Sequence, residues 1–306
     1  MGYQVGLALG GGGARGISHI GVLKVFEKYG IPVHCIAGTS IGSIVGAVYA
    51  FRPDAEALEK KFFTLIASDE FQKSGLERFQ VKEPAENFFG QVAHYVRERI
   101  VINLATSRSS VLKGDRLAKL VDYLLDDVLI EDAPLQLSIV ASDLARGNDF
   151  IQTSGSVREA AMASSSIPGF LPPFETNGHI LTDGAVTCPV PVEAARARGA
   201  DVIFAVDVGQ DVEQNKDKMG LSILDIMYRT NQMTVSRLRD LILAKADYII
   251  RPEVGHLHWA DFSNIEALID AGMKAAEPVV RDALKNGKLK KNIWERLWQG
   301  VGSKKP

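Results

Sequence analysis

A serine between two glycines lies where an apolar strand is predicted to pass into an apolar helix. Ser40 is the centre of GTSIG, a G-x-S-x-G pattern in which Gly38 and Gly42 allow a tight, strained turn. The apolar residues 33–37 predict the strand, and residues 44–51 predict the helix. This context favours Ser40 as a nucleophile whose hydroxyl projects into a cleft.

An activated serine requires a general base, and the sequence offers two kinds. Asp183 ends a short apolar segment and precedes Gly184, which permits a close approach of the backbone. In a Ser-His-acid triad, the base would instead be a late histidine, His256 or His258, and both lie in an irregular segment. From the residues alone both alternatives stay open. His179 begins a predicted strand and is interpreted as structural.

A glycine-rich loop, GGGGARG at residues 10–16, separates the first apolar strand from a helical pattern. A phosphate loop of nucleotide hydrolases would need lysine where the chain has Ile17. A dinucleotide fingerprint fits the spacing of Gly11, Gly13 and Gly16, but no carboxylate ends the next strand. An oxyanion hole is the third interpretation, because backbone amides of consecutive glycines can converge beside the positive end of a helix. A loop that serves only close packing is the structural alternative.

The elements that must position these motifs alternate between strand and helix. Two successive strand-to-helix units, at the glycine loop and at the serine, predict a parallel sheet with right-handed crossovers. Further strands are predicted at 135–142, 150–153, 179–182, 202–208 and 248–250, and helices at 115–125, 157–165, 221–243 and 265–285. No repeat or low-complexity linker interrupts this alternation, so one large α/β domain is predicted.

Residues 31–51 contain no charged side chain and approach the length of a membrane-spanning helix. Pro32 and several hydroxyl residues interrupt the segment, and the glycines around Ser40 divide it. A strand buried in a parallel sheet and the helix packed on it are both apolar on nearly all sides. We therefore interpret the segment as a buried strand, turn and helix.

Composition excludes several classes of protein. The 306 residues are 46% hydrophobic and 24% charged, which excludes a disordered chain, a collagen-like repeat and a disulfide scaffold. With 35 Lys and Arg against 37 Asp and Glu, the net charge of -2 gives no global attraction to nucleic acid. Cys35 and Cys188 lack the spacing of a zinc site and are interpreted as buried free thiols. The first residues lack a signal-peptide pattern, so a cytoplasmic location is expected.

Two more motifs make the pattern specific. The segment ASSSIPGFLPP at residues 163–173 and the triplet Asp183-Gly184-Ala185 follow the glycine loop and GTSIG in order. Together they resemble the patatin-like phospholipase family over residues 6–208, most closely its bacterial branch, similar to the neuropathy-target-esterase catalytic domain. Ser166 stands where the family commonly has alanine, which bears on local packing.

The resemblance implies a three-layer α/β/α fold with a mainly parallel central sheet, related to the cytosolic phospholipase A2 catalytic domain. It implies a dyad of Ser40 and Asp183 in place of a triad, and no metal or organic cofactor. Arg15 matches a basic position that would shape the loop or meet a substrate phosphate. The oxyanion-hole amides would be those of Gly11, Gly12 and Gly13, and the other motif glycines would be Gly16, Gly38, Gly42 and Gly184.

These observations predict a serine acyl hydrolase that cleaves phospholipid or lysophospholipid esters through an acyl-enzyme. A non-catalytic lipid-binding or regulatory adaptor on the same fold is the alternative. The hydrolase domain is assigned to residues 1–285, with 53–113 as a candidate helical cap or lid, and a basic tail to 286–306. Trp294 and Trp298 of that tail share a helical face with apolar neighbours, which predicts either peripheral contact with anionic membranes or a helix docked on the domain.

Overall fold

One mixed sheet of eight strands is the framework of the molecule. The computed structural model describes residues 3–74, 114–210, 223–285 and 288–289. Within them the strands are β1 (Val5–Leu9), β2 (Val33–Thr39), β3 (Gln136–Asp143), β4 (Asn148–Gln152), β5 (Phe174–Thr176), β6 (His179–Asp183), β7 (Val202–Val206) and β8 (Tyr248–Ile250). Their order is β5-β6-β3-β2-β1-β7-β8, and β4 also pairs with β3.

The sheet is mainly parallel, as predicted. The strands β3, β2, β1, β7 and β8 pair in parallel, whereas β4 and β6 run antiparallel to β3 and β5 runs antiparallel to β6. The carboxyl ends of the parallel strands therefore meet at one edge of the sheet. The loops that follow β1 and β2, which carry the glycine run and the serine, both leave from that edge.

Helices follow most of the strands. They are α1 (Ser18–Lys28), α2 (Ile41–Phe51), α3 (Ala55–Ile66), α4 (Asp69–Ser74), α5 (Gly114–Leu124), α6 (Val157–Ser164), α7 (Val192–Ala197), α8 (Ile223–Leu243) and α9 (Ile265–Lys285). Short 3-10 turns span Gly13–Ile17, Ile130–Asp132 and Gly184–Val186. Several of the described helices begin at side-chain caps; for example, Asp54 accepts from the Ala57 amide at the start of α3, and Asn264 accepts from the Ala267 amide at the start of α9.

Apolar side chains cover both faces of the sheet. Side chains alternate between the faces of a strand, so Leu7 and Leu9 pack into a core with α1 and α2. Ala8 points the other way, into a second core that includes Val192 of α7 and Leu243 of α8. The predicted three-layer arrangement of helix, sheet and helix is confirmed.

β2 and β6 lie end to end along one edge of β3. Ala141 of β3 pairs with β4 and also with Asp183 of β6, so β4 and β6 lie on opposite edges. Val140 pairs with β4 and also with Thr39 of β2, so β2 too lies opposite β4. The chain that leaves β2 after Thr39 therefore meets the end of β6.

The uncharged segment 31–51 is a strand, a turn and a helix, as predicted. It forms β2 and α2, whose residues are mostly buried against the rest of the domain. Among the described helices, none combines the length and the apolar character that a membrane crossing requires. Cys35 and Cys188 are buried and unpaired, which confirms their interpretation as free thiols.

Two regional predictions fall largely outside the described residues. Of the candidate cap at 53–113, the structure describes α3, α4 and the residues between them, and residues 75–113 lie outside. Of the basic tail at 286–306, only Lys288 and Leu289 are described. The cap and the membrane-binding tail stay predictions. The short elements β5 and α7, each of six residues or fewer, were not predicted from the sequence.

Candidate active site

Ser40 occupies a strained turn between β2 and α2. Its φ of 53° and ψ of -125° place it in a region that residues with a side chain rarely adopt. Hydrogen bonds hold this conformation: the Ser40 amide donates to Ser164 Oγ at 2.8 Å, and the Ser40 carbonyl accepts from Ser43 Oγ at 2.6 Å. The strain is typical of a nucleophile elbow, which presents the hydroxyl away from the sheet.

Asp183 is the hydrogen-bond partner of the Ser40 hydroxyl. Ser40 Oγ donates to Asp183 Oδ2 at 2.6 Å, and the Ala185 amide donates to Asp183 Oδ1 at 2.8 Å. The Asp183 backbone is fixed as well, since its amide donates to the Ser166 carbonyl and its carbonyl accepts from Ser142 Oγ. Both carboxylate oxygens thus have a donor, and one of them faces the nucleophile.

Burial makes Asp183 a stronger base than an exposed aspartate. Its residue is only 5% exposed, and this burial raises the pKa of Asp183 from 3.8 to about 6. The hydrogen bonds from Ser40 and Ala185 act in the opposite direction and limit the rise. Asp183 is therefore ionised at neutral pH, with a basicity closer to that of histidine.

No described hydrogen bond joins His256 or His258 to Ser40 or Asp183. His258 is half-buried, and its Nδ1 accepts from the Ala260 amide at 3.2 Å. His179 contacts Asp143, at 2.6 Å from its Nδ1 to Asp143 Oδ2. The arrangement thus favours the dyad over the late-histidine triad.

The glycine loop lies directly against Ser40. A Cβ added to Gly11 would come within 3.3 Å of the Ser40 Cβ, and one added to Gly13, whose φ is +59°, would come within 2.2 Å of the Trp259 carbonyl oxygen. The Gly11 amide donates to the Pro189 carbonyl at 3.0 Å, so it is already engaged. Within the part of the chain that the structure describes, the amides of Gly12 and Gly13 have no hydrogen-bond acceptor. Gly11, Gly12 and Gly13 all line the cleft, and their role as an oxyanion hole stays a prediction, for which the Gly12 and Gly13 amides are the two available donors.

Arg15 is buried and holds the loop from inside. Its Nε donates to the Gly12 carbonyl at 3.1 Å, and its Nη1 donates to the Leu257 carbonyl at 3.4 Å. Both acceptors are neutral backbone oxygens within the fold. These contacts fit the loop-shaping alternative, but Arg15 also lines the cleft, so both alternatives for it stay predictions.

Ser40, Asp183 and the glycine loop open into one cleft of about 290 Å³. Its apolar lining includes Ile167, Pro168, Phe170, Val186 and Trp259, which we call the apolar wall. Its polar lining includes Gln210 and the α8 residues Asn231, Gln232, Ser236 and Arg239, which we call the polar wall, with Val235 among them. A cleft lined by both apolar and polar residues suits an amphipathic ligand.

Comparison with known proteins decides the family. The family model described as patatin-like phospholipase matches residues 7–196, which include Ser40, Asp183 and the whole glycine loop. The chain belongs to the patatin-like phospholipase family. The predicted family is confirmed, whereas membership of the bacterial branch and the lipid acyl hydrolase activity stay predictions.

Several relatives and one solved structure resemble this patatin-like domain. It is 35% identical over 208 residues, 68% of the chain, to a lysophospholipase NTE1 of Yarrowia lipolytica, of which it covers 13%. It is 28% identical over 320 residues, 96% of the chain, to patatin-like phospholipase domain-containing protein 6 of Homo sapiens, of which it covers 22%. The crystal structure of VipD from Legionella pneumophila aligns with a TM-score of 0.49 at 13% identity, over 94% of this chain and 67% of VipD. The chain thus spans about a fifth or less of the two curated relatives.

The motif glycines of the patatin-like domain lie around the dyad. Gly38 and Gly42 flank the elbow, and Gly184 follows Asp183 in the 3-10 turn that caps β6. Gly16 lies in the turn before α1, where a Cβ would clash with the Ile41 side chain at the start of α2. Among the described residues, no group of three or more His, Cys, Asp or Glu could hold a metal ion.

Two residues of this site, Ser164 and His19, have no role that the sequence alone predicts. Ser164 Oγ accepts from the Ser40 amide and donates to the Val140 carbonyl at 2.6 Å, so it ties the elbow to β3. It lies in the ASSSIPGFLPP segment, which carried the only sequence signal for it. His19 of α1 contacts the glycine loop through Gly10, and nothing in its spacing distinguished it from a core residue.

Proposed function

We propose that this chain is a serine acyl hydrolase that cleaves the carboxylic esters of phospholipids or lysophospholipids through a Ser40–Asp183 dyad. The hydrogen bond of 2.6 Å from Ser40 Oγ to the buried Asp183 carboxylate is the observation that carries the proposal. A serine whose hydroxyl donates to a basic carboxylate is prepared for nucleophilic attack.

Acylation begins with proton transfer from Ser40 to Asp183. As the Ser40 oxygen attacks the ester carbonyl carbon, Asp183 accepts the hydroxyl proton, and the carbonyl oxygen becomes an oxyanion. The amides of Gly12 and Gly13 donate to this oxyanion. When the tetrahedral intermediate collapses, the bond to the alcohol breaks, and Asp183 returns the proton to the leaving alkoxide. The product of this half-reaction is an ester of Ser40 with the fatty acid.

Deacylation repeats these steps with water as the nucleophile. Asp183 accepts a proton from water, the resulting hydroxide attacks the acyl-enzyme carbonyl, and the same two amides hold the second oxyanion. Collapse releases the fatty acid, and the proton on Asp183 returns to Ser40. No proton is gained or lost by the enzyme over the cycle.

The two amides and the base together account for enzyme-like rates. One oxyanion donor lowers the barrier by about 3 kcal/mol, and general base catalysis contributes about 10²–10⁴-fold. Neither effect alone reaches the range typical of enzymes, about 10⁶-fold and above. Both the glycine loop and Asp183 are therefore required.

The two walls of the cleft support an amphipathic lipid as substrate. The apolar wall suits the acyl chain, whose burial stabilises the complex by about 0.8 kcal/mol for each methylene removed from water. On the polar wall, Arg239 lies on the α8 face that lines the cleft, with Nη1 donating to the Gln210 carbonyl and Nε 3.5 Å from Asp207. Neutral donors flank it in Gln232 and Ser236. We assign this wall to the polar headgroup.

Labelling of Ser40 tests the proposal. The intact mass of the protein is measured after treatment with a fluorophosphonate ester, beside the rate of hydrolysis of a p-nitrophenyl acyl ester and a lysophospholipid. A single adduct that disappears in Ser40→Ala, with turnover lost in both Ser40→Ala and Asp183→Asn, is expected. The control is Ser138→Ala, a buried serine of β3 whose Oγ has no hydrogen-bond partner among the described residues, which should still form the adduct.

The adaptor alternative predicts a different result. A folded wild-type protein with no adduct and no turnover towards either ester, even with anionic lipid vesicles present, would replace the hydrolase proposal with a lipid-binding one. Peripheral contact with anionic membranes is part of our proposal and rests on the basic tail. A cytoplasmic location stays a prediction.

A further inference from the structure

His19 lies at the start of α1, next to the glycine loop, and the mechanism above does not use it. Its side chain is fully buried, and its Nε2 lies 2.8 Å from the Gly10 carbonyl oxygen. Its Nδ1 is also buried, and within the described residues it has no hydrogen-bond partner. A carbonyl oxygen only accepts hydrogen bonds, so Nε2 is the nitrogen that carries the hydrogen.

The imidazole of His19 is neutral at physiological pH. Burial lowers the pKa of His19 to about 4, and the Gly10 carbonyl and the negative charge of Asp207 only partly oppose this effect. A neutral imidazole has one N–H group. His19 therefore directs its single donor at the glycine loop.

That hydrogen bond fixes one complete peptide unit of the loop. The Gly10 carbonyl and the Gly11 amide belong to the same planar group. The carbonyl side accepts from His19, and the amide side donates to the Pro189 carbonyl at 3.0 Å. Because both the carbonyl and the amide of this peptide group are hydrogen-bonded, its orientation is set by residues outside the loop.

The following peptide units carry the amides of Gly12 and Gly13, which line the cleft and have no acceptor among the described residues. The Gly12 amide belongs to the unit directly after the one that His19 holds. The Gly13 amide belongs to the next unit, whose carbonyl is held by Arg15 Nε at 3.1 Å. The Ala14 amide, one unit further, donates to the Trp259 carbonyl at 2.7 Å. The glycine loop is thus held before, between and after the amides of Gly12 and Gly13. These contacts matter because glycine itself restricts backbone rotation little.

We propose that His19 is a positioning residue for the oxyanion hole. By holding the peptide between Gly10 and Gly11, it sets the direction of the Gly12 amide towards the oxyanion formed on the substrate of Ser40. This inference rests on the proposed hydrolase function and adds a residue to it. A role in packing alone explains the contact less well, because an apolar side chain would fill the same space without burying an unpartnered Nδ1.

A pair of ester substrates separates positioning from folding. A p-nitrophenyl ester is compared with its thiono analogue, in which sulfur replaces the carbonyl oxygen, and release of p-nitrophenolate is measured. Sulfur is a weak hydrogen-bond acceptor, so the thiono ester depends less on the oxyanion hole. His19→Met is expected to lower kcat for the oxygen ester by about 10–100-fold. This is less than the loss of about 10²–10³-fold for a missing oxyanion donor, because the Gly12 amide is misdirected but still present. The thiono rate should fall by less than about threefold, as expected when only the oxyanion contact is weakened.

Two further variants complete the test. His19→Gln places an amide N–H close to the position of Nε2. It should restore most of the ratio of the oxygen-ester rate to the thiono-ester rate. Phe26→Leu is the matched control, since Phe26 lies near the far end of α1 and packs on Phe204. It should lower the thermal midpoint of unfolding and leave the rate ratio at the wild-type value.

If His19→Met lowers the rates for the oxygen ester and the thiono ester equally, or lowers neither, the ratio of the two rates is unchanged and the positioning role is overturned. Should His19→Met fail to fold, His19→Gln is compared with His19→Asn, whose shorter amide reaches the Nδ1 position. A wild-type ratio in the first with a lowered ratio in the second supports the proposal, and equal ratios reject it. Failure of the proposed function is a separate result, since it would leave the wild type inactive on both esters.

Discussion

Ser40 and Asp183 meet because the strands that carry them share one edge of β3. Thr39, the residue before Ser40, pairs with Val140, and Asp183 pairs with the next residue, Ala141. β2 approaches this point from one direction and β6 from the other. The hydrogen bond between the two side chains is therefore a consequence of strand register.

The pH dependence of activity should follow the ionisation of Asp183. As a base, it must be deprotonated, and burial raises its pKa to about 6. We expect kcat/KM to increase about tenfold per pH unit below 6 and to become constant above it. Hydrolysis of a p-nitrophenyl ester from pH 4.5 to 8.5 measures this. A titration near pH 7 that disappears in His256→Gln or His258→Gln would instead indicate a histidine base.

Asp183 should also destabilise the folded protein above pH 6. The unfolded carboxyl has a pKa of about 3.9, so between pH 4 and 6 the folded state holds a proton that the unfolded state has lost. Stability is therefore lost as the pH rises through this window, by roughly 3 kcal/mol in total. Asp183→Asn should be more stable than wild type at pH 8, and this advantage should shrink at pH 4. Urea unfolding at both pH values tests this, and an advantage independent of pH would contradict it.

Gly13 and Gly30 form a matched pair for testing the glycine loop. Both have positive φ, +59° and +61°, so alanine at either site costs about 1 kcal/mol of backbone strain. At Gly13 the new Cβ would also meet the Trp259 carbonyl at 2.2 Å, whereas nothing lies within 4 Å at Gly30. Gly13→Ala should lose activity by about 10²-fold or more, as for a missing oxyanion donor. Gly30→Ala should keep it, and comparable kcat values for the two variants would argue against the loop's assigned role.

Ser164 and Ser138 form a second matched pair. Both are buried, but Ser164 bridges the Ser40 amide and the Val140 carbonyl, whereas Ser138 Oγ of β3 has no hydrogen-bond partner among the described residues. Ser164→Ala removes the acceptor of the Ser40 amide and one donor to the Val140 carbonyl, and should cost about 1–3 kcal/mol of unfolding free energy, with a lower kcat. Ser138→Ala should be neutral or stabilising. Denaturant unfolding and ester hydrolysis of both variants test this prediction. Equal unfolding free energies and equal kcat values for the two variants would contradict it.

Arg239 should matter more for lysophospholipids than for simple esters. Arg239→Gln removes the cation of the polar wall, so we expect kcat/KM for a lysophospholipid to fall roughly tenfold, the scale of a hydrogen bond to a charged group. The p-nitrophenyl ester of the same fatty acid should be affected severalfold less. Arg237→Gln, exposed on the same helix outside the cleft, is the control. An equal loss for both substrates would assign Arg239 to the structure of the cleft and not to headgroup binding.

The sequence predicted the parts of the site whose chemistry depends on local spacing. The G-x-S-x-G turn and the residues around Asp183 are short patterns with one backbone solution, so the elbow and the strand end were recognisable. The sequence could not choose between Asp183 and a late histidine as the base. That choice depends on the pairing of β3 with β6, a contact between distant segments that local patterns do not reveal. The engagement of the Gly11 amide by Pro189 was likewise hidden, because 178 residues separate the two in the chain. His19 had no signal at all, since a buried histidine on a helix resembles any other core position.

Because 143 positions separate Ser40 from Asp183, the two residues can meet only after the chain as far as β6 has been made. A chain synthesised only as far as α2 contains Ser40 but not yet Asp183. Contacts between distant segments form slowly, since a long loop must close before they can stabilise the fold. Under the proposed mechanism, ester turnover returns during refolding only after β6 has docked on β3, so its time course gives a latest time for that non-local step.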